Sequence, residues 1–167
     1  MVLVSAVGFP VIRISKLTDY ATVLLAALAR EPGRCFPAAT LAQQTRISAT
    51  TVSKVLKQLQ RAGFVHSTRG LHGGYQLARS PQSISAAAIL DALEGPVAVT
   101  DCSVGHGQCG IETTCQVGQA WQRVNVSIRR SLHDISLAEL AGLEAPLMRR
   151  SGAEREWQAG ISGVATR

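Results

Sequence analysis

The stretch that most narrows the possible folds is "RISATTVSKVLKQLQRAG", because its apolar residues keep one period and the residues after it abandon that period. Val52, Val55, Leu56 and Leu59 fall at i, i+3, i+4 and i+7, the spacing of one helix face. Ser48 suits the N-cap and Gly63 the stop. Immediately downstream, "FVHSTR" and "YQLAR" read as short strands flanking "GLHGG", a turn rich in residues that tolerate positive φ. Upstream, "SKLTDYATVLLAALAREPG" places Leu17, Tyr20, Ala21, Leu24 and Leu28 at helical spacing before Pro32 and Gly33 end the run. "FPAATLAQQT" reads as a short second helix with Pro37 at its first turn. Three short helices and a two-stranded hairpin, in that order, make a winged helix-turn-helix with the helix after Ser48 in the recognition position.

The rest of the chain is also helical in pattern. "SISAAAILDALEG" predicts a helix capped by Ser85, carrying Ile89, Leu90 and Leu93 inward and ended by Gly95. From about Thr114 to Asp134, Val117, Trp121, Val124, Ile128 and Leu132 alternate spacings of four and three. So narrow a stripe on so long a helix resembles a helix–helix seam, which predicts a homodimer. "SLAE" at Ser136–Glu139 is a capping box for one more short helix. The expected class is mainly α: a winged helix-turn-helix with a small β-hairpin wing and a long C-terminal dimerisation helix. The expected organisation is an extension at 1–11 and a DNA-binding domain at 12–81. A linking helix and cysteine loop follow at 82–113, then the dimerisation and capping helices at 114–144 and a mobile tail at 145–167. No apolar run is long enough for a membrane span, and the apolar start lacks the basic region of an export signal, so a cytoplasmic location is expected.

Charge divides the chain. Residues 1–80 hold ten Lys/Arg against two acids, whereas residues 81–145 hold three Arg against seven acids, within an overall balance of +6. A basic half carrying a recognition helix points to a polyanion, and the absence of exposed stacking aromatics favours double-stranded DNA over RNA. Thr50, Thr51, Ser53, Lys54 and Lys57 lie off the apolar stripe, with Thr50, Thr51 and Lys54 in the first turns, where base edges are reached. Ser48 and the free N–H groups beside it could hold a phosphate. In the hairpin, Arg69 or His72 can enter a minor groove or contact phosphates, while Gly73 and Gly74 allow close backbone approach. No nucleophile–base pairing or phosphate-cradling loop appears, so neither an enzyme nor a small-molecule substrate is expected.

"DCSVGHGQCGIETTCQVG" carries Cys102, Cys109 and Cys115 among glycines. The spacing leaves an iron–sulfur cluster and a Cys₃His zinc site completed by His106 level, with a thiol redox switch behind both. Cys35 stands far from this group in sequence and reads as an inert, partly buried thiol.

Taken together, "IRISKLTDYATVLLAALA", the segment "TLAQQTRISATTVSKVLKQLQRAGFVHSTRGLHGGYQLAR" and the three-cysteine loop resemble the Rrf2 family. This family includes the IscR and NsrR types of bacterial iron–sulfur-dependent transcription regulators, and the resemblance runs from about Ile12 to Leu140. Within it the sequence is most similar to regulators associated with the SUF iron–sulfur assembly operon. The resemblance implies a homodimeric winged-helix protein with a 2Fe–2S or 4Fe–4S cluster on Cys102, Cys109 and Cys115, and the expected function is repression, or conditional repression, of iron–sulfur assembly genes according to cluster supply. IscR-type members add a histidine at the position held here by Gly118, so that ligand is absent. NsrR-type members take an oxygen from an aspartate of the partner's first helix, in a Thr-Asp step, which implies Asp19 of the partner subunit, with His106 as the rival. The alternatives are a nitric-oxide or redox sensor on the same scaffold and a zinc-stabilised protein-binding adaptor.

Overall fold

The computed structural model describes residues 14–70, 73–100 and 117–145. Seven elements appear in the first two segments, all but the 3-10 turn of the expected kinds: α1 (Lys16–Ala29), α2 (Ala38–Thr45), α3 (Ala49–Arg61), β1 (Val65–Thr68), β2 (Gly74–Leu77), a 3-10 turn (Pro81–Ser83) and α4 (Ala86–Leu93). The last segment holds α5 (Gly118–Asp134) and α6 (Leu137–Leu140). Among the described residues the chain is mainly helical with one small antiparallel sheet, as the pattern predicted.

Serine caps start most of these helices. Ser15 accepts from the Thr18 N–H at 3.3 Å, Ser85 from Ala88 at 3.2 Å and Ser136 from Glu139 at 3.1 Å. Each satisfies one of the donors a helix start leaves free. At α2 the cap position is Pro37 itself rather than a residue before it, so the helix begins one place later than expected, and Pro37 offers no side-chain hydrogen bond.

α1, α2 and α3 pack around one core. Leu24, Leu25, Leu28, Leu41, Val52, Val55, Leu56 and Leu59 are all essentially inaccessible. Burying each of these side chains contributes about 1.5–3 kcal/mol before entropy is counted. β1 and β2 pair in the register Val65↔Leu77 to Thr68↔Gly74, and Tyr75 makes a further bridge to Phe36 through N···O contacts of 2.8 and 2.9 Å. The hairpin is thereby stitched to the segment before α2.

The final short helix returns to this same core. The Leu137 N–H donates to the Ile84 carbonyl at 2.7 Å, and the Ala86 N–H donates to Ile135 at 2.8 Å. Leu137 and Ala138 are fully buried.

α5 behaves differently. It begins at Gly118 rather than near Thr114, so its 17 residues span roughly 25 Å. Polar ties join it to the body, the first at Asn125, its one buried residue, which accepts from the Val99 N–H at 3.2 Å. Arg129 holds Asp91 of α4 through two hydrogen bonds of 3.1 and 2.8 Å. Val117 (60% exposed), Trp121 (43%) and Val124 (43%) stay open, while Ile128 and Leu132 are half-buried.

A second polar tie joins α4 to α1. Glu94 accepts from the Ser15 N–H at 2.9 Å. The Thr18 hydroxyl first, then that N–H, hold the Glu94 carboxyl below its usual range. A lowered carboxylate pKa adds stability that is present above the unfolded-state value and lost as pH falls through the folded one. Melting curves taken between about pH 6 and pH 3 should therefore show a smaller acid-induced loss for Glu94→Gln than for wild type. Equal losses would mean that this tie carries no stability. None of the described helices is long and apolar enough to cross a membrane.

Candidate nucleic-acid interface

The apolar stripe of α3 fixes which side of the helix remains free. With Val52, Val55, Leu56 and Leu59 turned onto α1 and α2, the opposite side presents Thr50, Ser53, Lys54 and Lys57, all exposed. Thr51 is half-buried. Ser48 is the N-cap, accepting from the Thr51 N–H at 3.3 Å and sharing a 2.8 Å hydrogen bond with the Thr51 hydroxyl. These two residues satisfy one another and shape the helix start, whereas Thr50, Ser53 and the lysines keep their polar atoms open to solvent.

The wing borders this face. Gln60 donates its side-chain N–H to Ser67 at 2.9 Å, joining the end of α3 to β1. Arg69 follows β1 and is exposed; His72 lies outside the described residues. Gly73 and Gly74 are required by the chain's own backbone. A Cβ on Gly73 would sit 2.3 Å from the Thr68 carbonyl oxygen, and one on Gly74 would sit 2.4 Å from the Phe36 carbonyl carbon. The bridge between Tyr75 and Phe36 forces that approach, a contact across nearly forty residues with no local signature.

Electrostatics reinforce the picture. Between Glu31 and Asp91 the chain carries seven Lys or Arg side chains and no carboxylate. Arg34 pairs with Glu31, and Arg79 lies over the Phe64 ring, 5.2 Å from its centre. Arg46, Lys54, Lys57 and Arg69 are exposed and form no ion pair among the described residues. With no carboxylate to neutralise them, these cations raise the potential over the outer side of α3. Arg46, in the turn before α3, carries no signature in the sequence, because only its backbone conformation sets it apart.

The second candidate site is only partly described. Cys102, Cys109, Cys115 and His106 lie outside the described residues, as do 1–13 and 146–167. Asp19 is within them: it sits on the first turn of α1, exposed, with its N–H bonded to the Ser15 carbonyl at 3.0 Å. No group of three His, Cys, Asp or Glu among the described residues is placed to hold a metal. Cys35 is half-buried, its Sγ 3.5 Å from Gln76 Oε1 beside the wing.

This architecture is that of a winged helix-turn-helix protein whose recognition helix turns a cationic, carboxylate-free face to solvent. More narrowly, the chain belongs to the Rrf2 family, described as an iron-dependent transcriptional regulator, whose model matches residues 14–142. It is 32% identical over 104 residues to the HTH-type transcriptional regulator IscR of Vibrio campbellii, covering 62% of this chain and 61% of that one. Among solved structures it resembles CymR (YrzC), the global cysteine regulator of B. subtilis, with a TM-score of 0.63, 26% identity and coverage of 80% and 98% of the two chains. It also resembles T. potens IscR, with a TM-score of 0.60, 26% identity and coverage of 86% and 96%. The curated relatives are matched over 60–67% of their own lengths. These relatives and neighbours are transcription regulators rather than enzymes.

Proposed function

We propose that the chain acts as a cytoplasmic homodimer that binds a double-stranded DNA operator through α3 and the wing, repressing iron–sulfur assembly genes according to cluster supply. The SUF operon is the target this reading favours. The observation that carries it is the exposed face of Thr50, Ser53, Lys54 and Lys57 within a segment devoid of carboxylates. The open Val117–Trp121–Val124 end of the α5 stripe supports the dimer, because these apolar side chains stay exposed while Asn125, Ile128, Arg129 and Leu132 face the helix's own body. A dimer would present two recognition helices to half-sites about 34 Å apart.

Cys102, Cys109 and Cys115 would hold a 2Fe–2S or 4Fe–4S cluster, with Asp19 of the partner subunit as fourth ligand and His106 as its rival. The donor types fit, since three thiolates are joined by a carboxylate that is exposed and makes no hydrogen bond or ion pair among the described residues. With Asp19 as a ligand, such a cluster would be more open to oxidation or nitrosylation than one held by thiolates alone. The chain's own residues link this region to the reading head. Glu94, eight residues before Cys102, holds the α1 turn that bears Asp19, and Asp91 holds α5 through Arg129. A change in the cysteine segment would thus reach both the helix packed on α3 and the helix that pairs subunits.

Purification without oxygen should yield coloured protein containing iron and inorganic sulfide. Asp19→Ala should lower iron retention several-fold, Cys109→Ser should abolish it and His106→Ala should leave it intact. If oxygen-free protein is colourless and takes up neither iron nor sulfide on reconstitution, the cluster reading fails. The likeness to CymR favours a second reading, in which the same winged-helix unit answers to a different signal. Salt-dependent duplex binding by cluster-free protein would support it.

A further inference from the structure

The turn between α2 and α3 is built on an unusual residue. Arg46 has φ 57° and ψ 25°, in the left-handed region, and is the only non-glycine with positive φ among the described residues. The other helix ends that turn this way use glycine: Gly63 after α3 at φ 75°, Gly95 after α4 at 90° and Gly142 after α6 at 69°. A Cβ in this region crowds the backbone, and glycine avoids that cost. At one corner of four, the chain therefore keeps a strained residue where the unstrained one is used elsewhere.

The free fold does nothing with the side chain that would justify the strain. Arg46 is exposed and makes no hydrogen bond, ion pair or ring contact among the described residues. Its neighbours do the structural work. Thr45 donates its hydroxyl to the Leu41 carbonyl at 2.7 Å, Ile47 packs against the core, and Ser48 caps α3. The guanidinium hangs two residues before the recognition-helix cap, in a segment without carboxylates to neutralise it. Backbone strain held in place beside a candidate binding face is the pattern expected of a residue kept for its ligand.

We infer that Arg46 is a DNA-backbone contact, its guanidinium clamping a phosphate beside the start of α3 and fixing how the helix enters the groove. This rests on the proposed DNA binding. Phosphate contacts position a protein on the duplex without reading sequence, so the effect should be electrostatic and sequence-independent.

The test compares wild type, Arg46→Gly and Arg46→Lys on a mixed-sequence duplex about three helical turns long, titrated at several salt concentrations. Arg46→Gly should melt about 2–4 °C higher than wild type through relief of the turn. It should bind roughly five- to tenfold more weakly at low salt, with a salt slope shallower by about one for each recognition helix engaged. Arg46→Lys should keep most of the slope without the rise in melting temperature. Arg46→Gly binding with wild-type affinity and slope would overturn the inference while leaving DNA binding intact, as would a lower melting temperature for that variant. If wild type shows no salt-dependent binding to any duplex, the DNA reading falls, and this contact with it.

Discussion

The double substitution Lys54→Glu and Lys57→Glu should abolish duplex binding while leaving the fold standing. Both lysines lie on the open side of α3, and neither has an ion-pair partner among the described residues. Their replacement breaks no internal contact. The melting temperature should stay within about 2 °C of wild type, as for most surface changes. At the duplex the change is severe. Two cations that would release counterions from phosphates become two anions that the phosphates repel. Affinity should fall at least ~100-fold at moderate salt, and the salt slope should shrink by about two for each recognition helix. Anisotropy titrations at three or more salt concentrations measure both quantities. Binding retained within a few-fold of wild type would mean that the outer side of α3 does not face DNA.

Leu137→Ala is the substitution expected to cost most in stability. Leu137 is fully buried in the same core as Leu24, Leu28 and Leu56, although more than eighty residues separate it from the last of these. Truncation of such a leucine costs about 3 kcal/mol in transfer and cavity terms together. That is a large share of a domain's usual 5–15 kcal/mol. For a chain of this length it corresponds to a melting temperature lower by about 6–12 °C. Leu140 supplies the control, being 43% exposed on the same short helix. Leu140→Ala should cost less than about 1 kcal/mol. Similar losses for the two variants would show that α6 is not anchored through Leu137.

The burial of Val52, Val55, Leu56 and Leu59 follows from their spacing, because a helix repeats every 3.6 residues whatever surrounds it. Ser48, Ser85 and Ser136 were legible as caps because a cap bonds only two or three residues ahead. The start of the long helix was less legible. Val117 continues the apolar stripe, and only the backbone places it at the cap position before Gly118.

Of the candidate interface, the polar face of α3 and Arg69 could be named in advance. The reason for glycine at position 74 could not. It looked like an allowance for close approach by a ligand, yet the atoms it makes room for belong to Phe36 and Pro37. Arg46 was invisible for a related reason: an arginine between two helices is ordinary until its φ is known. Asp19 could be singled out only through resemblance to a family, since a carboxylate in the first helical turn is unremarkable in itself.

The amino-acid order alone determined most of the helices, the caps at Ser48, Ser85 and Ser136, the hairpin and the excess of positive charge in the first eighty residues. All of these depend on residues a few places apart. Tertiary structure decided that Leu137 closes the core begun by α1, and that Asn125 and Arg129 bond α5 to its body while the Val117, Trp121 and Val124 end of its apolar stripe stays open. It also decided that Arg46 holds a turn other helix ends give to glycine. Those outcomes depend on which distant segments share one small volume, and no local period carries that information.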